Sequence, residues 1–129
     1  MNRSRDDHAL AFEELATPRG RPYVRVAVTG EFDLADAQQF VTRFGKDGPY
    51  FMKPSMSVVP RGTEYTSDAR KHLQTMGDAG PTATVTTSPL VRAAVNLMVR
   101  LSGRKNTLRM FGTEAEALAW LDEQIAKTG

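Results

Sequence analysis

From Thr82 to Leu121 the chain reads TATVTTS, PLVRAAVNLMVRLSG, NTLRMF and GTEAEALAWL in close succession. The pattern predicts an apolar strand, an apolar helix, a second apolar strand and an amphipathic helix. Parallel strands cannot be joined by a tight turn, so a helix between two strands in so little chain is a crossover unit. An α/β domain is therefore predicted.

The helix predicted from Pro89 to Gly103 carries two apolar stripes. Pro89 suits a first helical turn, where its missing N–H has no partner to lose, and Gly103 suits the exit. Leu90, Ala94, Leu97, Met98 and Leu101 share one face, which is expected to lie on the sheet. Arg92, Asn96 and Arg100 form a polar stripe on the far side, with Val91, Val95 and Val99 between. One stripe suffices to cover a sheet, so the valines need a second cover: a neighbouring helix, another chain or a ligand. An apolar strip rimmed by arginine resembles an interface core with a polar rim. Val91, Arg92, Val95, Asn96, Val99 and Arg100 are thus the expected protein contact, with a partner protein or in a homodimer.

The rest of the chain sets limits. A length of 129 residues fits one domain with a real core. Without cysteine, disulfides, thiol catalysis and Cys-based metal sites are excluded. The net charge of +2 is mild and its basic residues form no run, so nucleic acid is not an expected partner. No stretch is apolar and long enough to span a bilayer, and the start lacks a signal-peptide core, so a cytoplasmic protein is expected. Residues 1–8 are polar and expected to fray, leaving 9–129 as the domain.

Taken in order, Ala9 to Leu15 reads as a first strand and the turn Thr17-Pro18-Arg19-Gly20-Arg21-Pro22 leads into a second. There Val24, Val26 and Val28 alternate with Tyr23, Arg25, Ala27 and Thr29. Asp33 is placed to cap a helix with Ala37, Phe40, Val41 and Phe44 inside, stopped by Gly45. Lys46 to Pro54 is a loop whose Tyr50 and Phe51 are expected to fold back as a lid. Ser55 to Val59 reads as a strand, Arg61 to Tyr65 as a loop, and Thr66 or Ser67 as the cap of a helix burying Ala69, Leu73 and Met76. The last helix opens on Thr113 and Glu116, a capping-box spacing, and buries Leu118, Leu121 and Ile125. Trp120 falls off that stripe and is expected at its edge, partly exposed.

The chemistry-bearing residues are sparse. Glu31, Asp33, Asp36 and Glu64 fall at caps or in loops, where solvated or helix-dipole roles suffice, so no paired acid and base is expected. His8 and His72 are isolated, no phosphate-loop motif occurs, and neither metal nor cofactor is expected. The open edge of an α/β sheet binds anions at helix starts, which marks Ser88 and Thr66 with Arg61 and Arg92 as an anion or ligand edge. A second reading takes the protein as a carrier of a small apolar ligand, with Phe40, Phe44, Met76, Met98 and Met110 as lining and Tyr50-Phe51-Met52 as lid.

Three segments carry a family resemblance: Thr-Gly-Glu-Phe-Asp at 29–33, Val85-Thr86-Thr87-Ser88-Pro89-Leu90-Val91-Arg92, and Met110-Phe111-Gly112-Thr113 through Leu121. With the order of elements, they resemble the SpoIIAA-like group of bacterial anti-sigma-factor antagonists in the STAS and SEC14-like superfamily. The resemblance implies a single domain with a mixed, mainly parallel sheet of about five strands and four helices. It also implies a non-enzymatic module that regulates or binds a partner protein, or takes an apolar or anionic ligand. Antagonists of this kind are phosphorylated on a serine at the start of the helix after the third strand. Ser67 is the residue nearest that place, although the usual Asp-Ser-Ser-Gly pattern is absent.

Overall fold

The computed structural model describes residues 10–76, 79–102 and 108–128. Strands β1 (Ala11–Ala16) and β2 (Pro22–Ala27) form the antiparallel hairpin, with Ala11 opposite Ala27 and Ala16 opposite Pro22. At its turn Gly20 donates to the Thr17 carbonyl at 2.8 Å, with a φ of 82° that disfavours any residue with a Cβ. There follow β3 (Glu31–Phe32), α1 (Leu34–Phe44), β4 (Ser55–Val58), β5 (Glu64–Tyr65) and α2 (Ser67–Leu73). The crossover unit comes last, as β6 (Thr82–Val85), α3 (Pro89–Ser102), β7 (Leu108–Phe111) and α4 (Glu114–Thr128).

The sheet order is β1-β2-β4-β6-β7, antiparallel at the hairpin and parallel elsewhere. This is the single α/β domain expected from the sequence, with a mixed five-stranded sheet and four helices among the described residues. The strand pairing departs from expectation at one place. The segment read as a loop at Arg61 to Tyr65 ends in β5, which pairs in parallel with β3 as a separate two-stranded sheet. Two residues are too few to show an alternating period, so neither strand announces itself in the sequence.

Each helix begins where its cap chemistry dictates. Asp36 N–H donates to Asp33 Oδ1 at 3.0 Å and Asp33 N–H to Asp36 Oδ2 at 3.1 Å, a reciprocal capping box at the start of α1. Asp36 is fully buried in this role rather than solvated. Thr66 caps α2, Ser88 caps α3, and Thr113 accepts from Glu116 N–H at 3.2 Å to open α4.

The two sheet faces are covered unequally. Among the described elements one face meets α4 alone: Ala117, Trp120 and Leu121 pack on Tyr23, Met56, Ala83 and Val85. Fully burying Leu121 or Met56 there contributes about 2 kcal/mol each. Trp120 is 8% exposed and lies 5.8 Å from the Phe111 ring, which corrects the expectation that it sits partly exposed. Phe111, on the outer strand, extends the apolar floor past the Leu118 and Leu121 stripe, so the indole finds cover there. The start and the middle of α4 are also tied to the hairpin. Arg25 grips the Glu114 carboxylate at 3.1 and 3.3 Å. The buried Asp122 accepts from Thr17 Oγ1 at 2.5 Å, with Arg21 Nη1 3.6 Å from the same oxygen.

The other face lies under α1, α2 and α3, with Val24, Val26, Val28, Phe32, Ala37, Phe44, Tyr50 and Ala69 in one core. Here α3 is rotated from its predicted setting. Val91 and Val95 are 2% and 4% exposed and belong to this core, whereas Leu90 is 82% and Leu97 46% exposed. Val91 and Val95 face the core and are not an outer contact surface. Both stripes obey the helical period, so periodicity could not choose between them. The cap chooses: Ser88 is buried and its Oγ accepts from Val91 N–H at 3.3 Å, which turns Val91 inward.

Candidate ligand cavity

The register places two rows of side chains under the three helices: Val24, Ser55, Thr82 and Leu108 in one, Val26, Ser57, Thr84 and Met110 in the other. The central strands read Ser-Met-Ser-Val and Thr-Ala-Thr-Val. Alternation sends Met56, Val58, Ala83 and Val85 to the α4 side and four hydroxyls to the opposite side. Short hydroxyl side chains in mid-sheet leave room. A cavity of about 80 Å³ lies above them, walled by Val26, Val28, Phe32, Phe40, Leu73, Met76, Val95 and Leu108, with Ser57, Tyr65, Gln74, Thr82 and Thr84 as its polar members.

Satisfaction of those polar groups is uneven. Thr82 Oγ1 donates to the Gly80 carbonyl at 3.1 Å. The hydroxyls of Ser57, Thr84 and Tyr65 and the amide of Gln74 take no hydrogen-bond partner from the described residues. Thr84 is 4% exposed. Buried hydroxyls in proteins almost always have a partner, so this cluster calls for a ligand or solvent to complete it. Ser57 lies on the middle strand of the sheet and still keeps partial exposure, which marks a route from the cavity to solvent.

Tyr65 reaches the site through the small β3–β5 sheet. Phe32 and Tyr65 are register partners, and their rings lie 4.8 Å apart between centroids. Arg70 Nη1 donates to the Tyr65 carbonyl at 3.0 Å and steadies the strand end. Tyr65 as a residue is half-buried, but its hydroxyl is withdrawn from solvent, and burial pushes its pKa above the usual phenol value. Among the described residues no charged side chain lines the cavity.

The other expected site residues fall elsewhere. Ser88 is buried and occupied as a cap, and Thr66 both caps α2 and donates to Asp68 Oδ1 at 2.6 Å. Arg61 and Arg92 are exposed, and no contact gathers them with Ser88 and Thr66 into one anion site. Ser67 is exposed in the first turn of α2, with Arg70 Nη2 3.5 Å from its Oγ. The side chains of Asn96, Val99 and Arg100, like that of Met98, lie outside the described ones. Of the expected apolar lining, Phe40 and Met76 border the cavity, while Phe44 and Met110 pack in the core. The loop expected as a lid does not reach it. Tyr50 folds back onto Phe44 and Phe12 at 5.4 and 6.1 Å, whereas Phe51 and Met52 point outward. That loop is held at Gly80, where a Cβ would stand 2.2 Å from the Met52 carbonyl oxygen.

Among the described residues no three of His, Cys, Asp or Glu are gathered as a metal would need, and no helix is long and apolar enough to cross a membrane. The arrangement of elements is similar to that of an uncharacterised DUF3478-family protein from Shewanella loihica PV-4 with a SpoIIAA-like fold. The TM-score is 0.60 at 15% identity, covering 88% of this chain and 94% of that one. The fold is SpoIIAA-like. At that identity the likeness extends to architecture and not to activity. No family model matches the chain, and no curated protein matches it. Within the SpoIIAA-like frame, sequence reasoning missed Ser57, Thr84, Tyr65 and Gln74. The signal for the first two was present in the period-two hydroxyls of SMSV and TATV.

Proposed function

We propose that this chain is a non-catalytic binding module that takes a small, largely apolar ligand between its sheet and its three-helix layer. Ligand pockets are typically apolar walls with a few convergent polar groups, and that is the composition here. The carrying observation is Thr84: a buried hydroxyl, without a partner among the described residues, on a rigid central strand facing a cavity. Nothing in the lining supplies a nucleophile with a base or a pair of carboxylates, which favours binding over chemistry.

Native mass spectrometry of the purified protein, beside a Val95→Phe variant that fills the cavity, tests this reading. A small adduct on the wild type that is missing from the variant is expected. Bare monomers of both, with no small molecule taken up on titration, would count against it.

A second reading, a protein-interaction module resembling anti-sigma-factor antagonists, draws support from Leu90 and Leu97. These leucines stand exposed on α3, with Arg92 also exposed. In this reading the contact moves from the valines to the leucines, and Ser67 remains the proposed phosphorylation position. A dimer without added mass in the same spectrum would favour it.

A further inference from the structure

Building on the ligand-binding reading, we infer that the cavity selects an uncharged ligand whose buried end carries a hydroxyl, carbonyl or amide, and that it rejects an ionised end. Three observations bear on this.

The first is the lining. Every described side chain that borders the cavity is neutral, and its polar members are three hydroxyl residues, a phenol and a carboxamide. An ion entering would lose its hydration and meet no counter-charge, while a neutral head finds groups that both donate and accept. Tyr65 reinforces the point, because its hydroxyl is already desolvated and stays protonated.

The second is the spacing. Ser57 and Thr84 are register partners on adjacent parallel strands, which places their backbones about 4.8 Å apart with both side chains bordering the cavity. A single oxygen between them satisfies both hydroxyls at an ordinary O–H···O distance of about 2.8 Å. The pair therefore forms a seat for one ligand oxygen, with its walls fixed by the sheet rather than by a loop.

The third is the size. A cavity of about 150 Å³ accepts benzene, so about 80 Å³ encloses roughly half as many heavy atoms. Only the head of a ligand and a short apolar neck fit inside. The remainder leaves past Leu73 and Gln74, which border the cavity and are both partly exposed.

The test compares three near-isosteric probes, butyramide, butyrate and butylammonium, by amide chemical-shift titration of the labelled full chain. Wild type, Thr84→Val and Ser57→Ala are each titrated, and the spectra themselves report whether each variant is folded. Butyramide should shift the Ser57, Thr84, Tyr65 and Gln74 amides saturably, with butyrate and butylammonium at least tenfold weaker. Loss of one hydrogen bond in Thr84→Val should weaken butyramide about fivefold. If either ion binds at these amides as well as butyramide does, the charge selection is overturned while the cavity remains a binding site. If butyramide binds there but neither substitution weakens it, the oxygen seat is overturned. If none of the three probes moves these amides, and a longer neutral probe such as decanol does not either, the ligand-binding reading itself falls.

Discussion

Thr82 and Thr84 are two threonines of one strand, both buried and both facing the same layer, yet their hydroxyls are in opposite states. Replacing each by valine keeps the branched shape and removes the oxygen. At Thr84, 4% exposed and unpartnered, burial of the hydroxyl costs about 1–3 kcal/mol, and solvent reaching it through the opening places the cost near the lower end. The added methyl gains up to about 0.8 kcal/mol. Thr84→Val should therefore stabilise the fold by about 1–2 kcal/mol. At Thr82 the same change breaks the 3.1 Å bond to the Gly80 carbonyl, a loss of about 1 kcal/mol that the methyl roughly offsets, so this variant should be neutral or slightly destabilised. Urea unfolding with a common m-value measures both, and the Thr84 variant should melt about 3–6 °C above the Thr82 variant. Equal stabilities, or the reverse order, would show that Thr84 is satisfied in the folded protein and would remove the main support for the cavity as a site. A gain in stability that accompanies a loss of ligand affinity is the usual signature of a functional polar group held in a core.

On α3, Val95→Glu should abolish cooperative folding because it buries an unpaired carboxylate, whereas Leu97→Glu should change stability by no more than about 0.5 kcal/mol. Circular dichroism melts of the two variants separate the inward face from the outward one. Asp122→Ala should cost about 2 kcal/mol in urea unfolding, since it leaves buried Thr17 without its acceptor and Arg21 without its ion pair; a loss under about 0.5 kcal/mol would mean that the hairpin turn holds itself. The third test is alkaline. Burial raises the Tyr65 pKa above the usual value of 10.0, so the folded protein keeps a proton that the unfolded chain releases. Its contribution is complete below about pH 10 and is lost as pH rises toward the folded pKa. Tyr23 adds in the same direction, raised by burial and by Glu114 and Glu13 against the lowering effect of Arg25. Unfolding midpoints should fall more steeply above about pH 10 in the wild type than in Tyr65→Phe, and parallel slopes would show that the Tyr65 hydroxyl is hydrated.

The frame was legible because each of its cues is local. The valine alternation of Tyr23 to Thr29, the caps at Asp33 and Thr113, the stop at Gly45 and the strand–helix–strand order after Thr82 each depend on neighbours a few residues apart. The site was not, for three physical reasons. Val91 and Leu90 satisfy the same helical period, and only the burial of Ser88 decides which of them turns inward. Tyr65 joins Phe32 through two-residue strands that leave no periodic trace. Thr84 and Ser57 become neighbours only through the parallel register of β4 and β6, a long-range pairing that propensity does not encode. Trp120 was misplaced for a related reason, because its partner Phe111 belongs to a different element.

The pairing of Thr17 with Asp122 joins residues 105 positions apart. With Arg25 and Glu114 it fastens the first hairpin to the helix that follows the final strand. During folding the sheet can pair through β7 before that helix docks, and its Met56, Ala83 and Val85 side then stands bare, an apolar surface of the kind that chaperones shield. Closure of so long a loop is entropically slow to reward, so the step that docks residues 114–128 sets when the nascent chain becomes a protected molecule. A released chain truncated after Gly112 would thus hold a sheet complete in its strands and open to aggregation on one side.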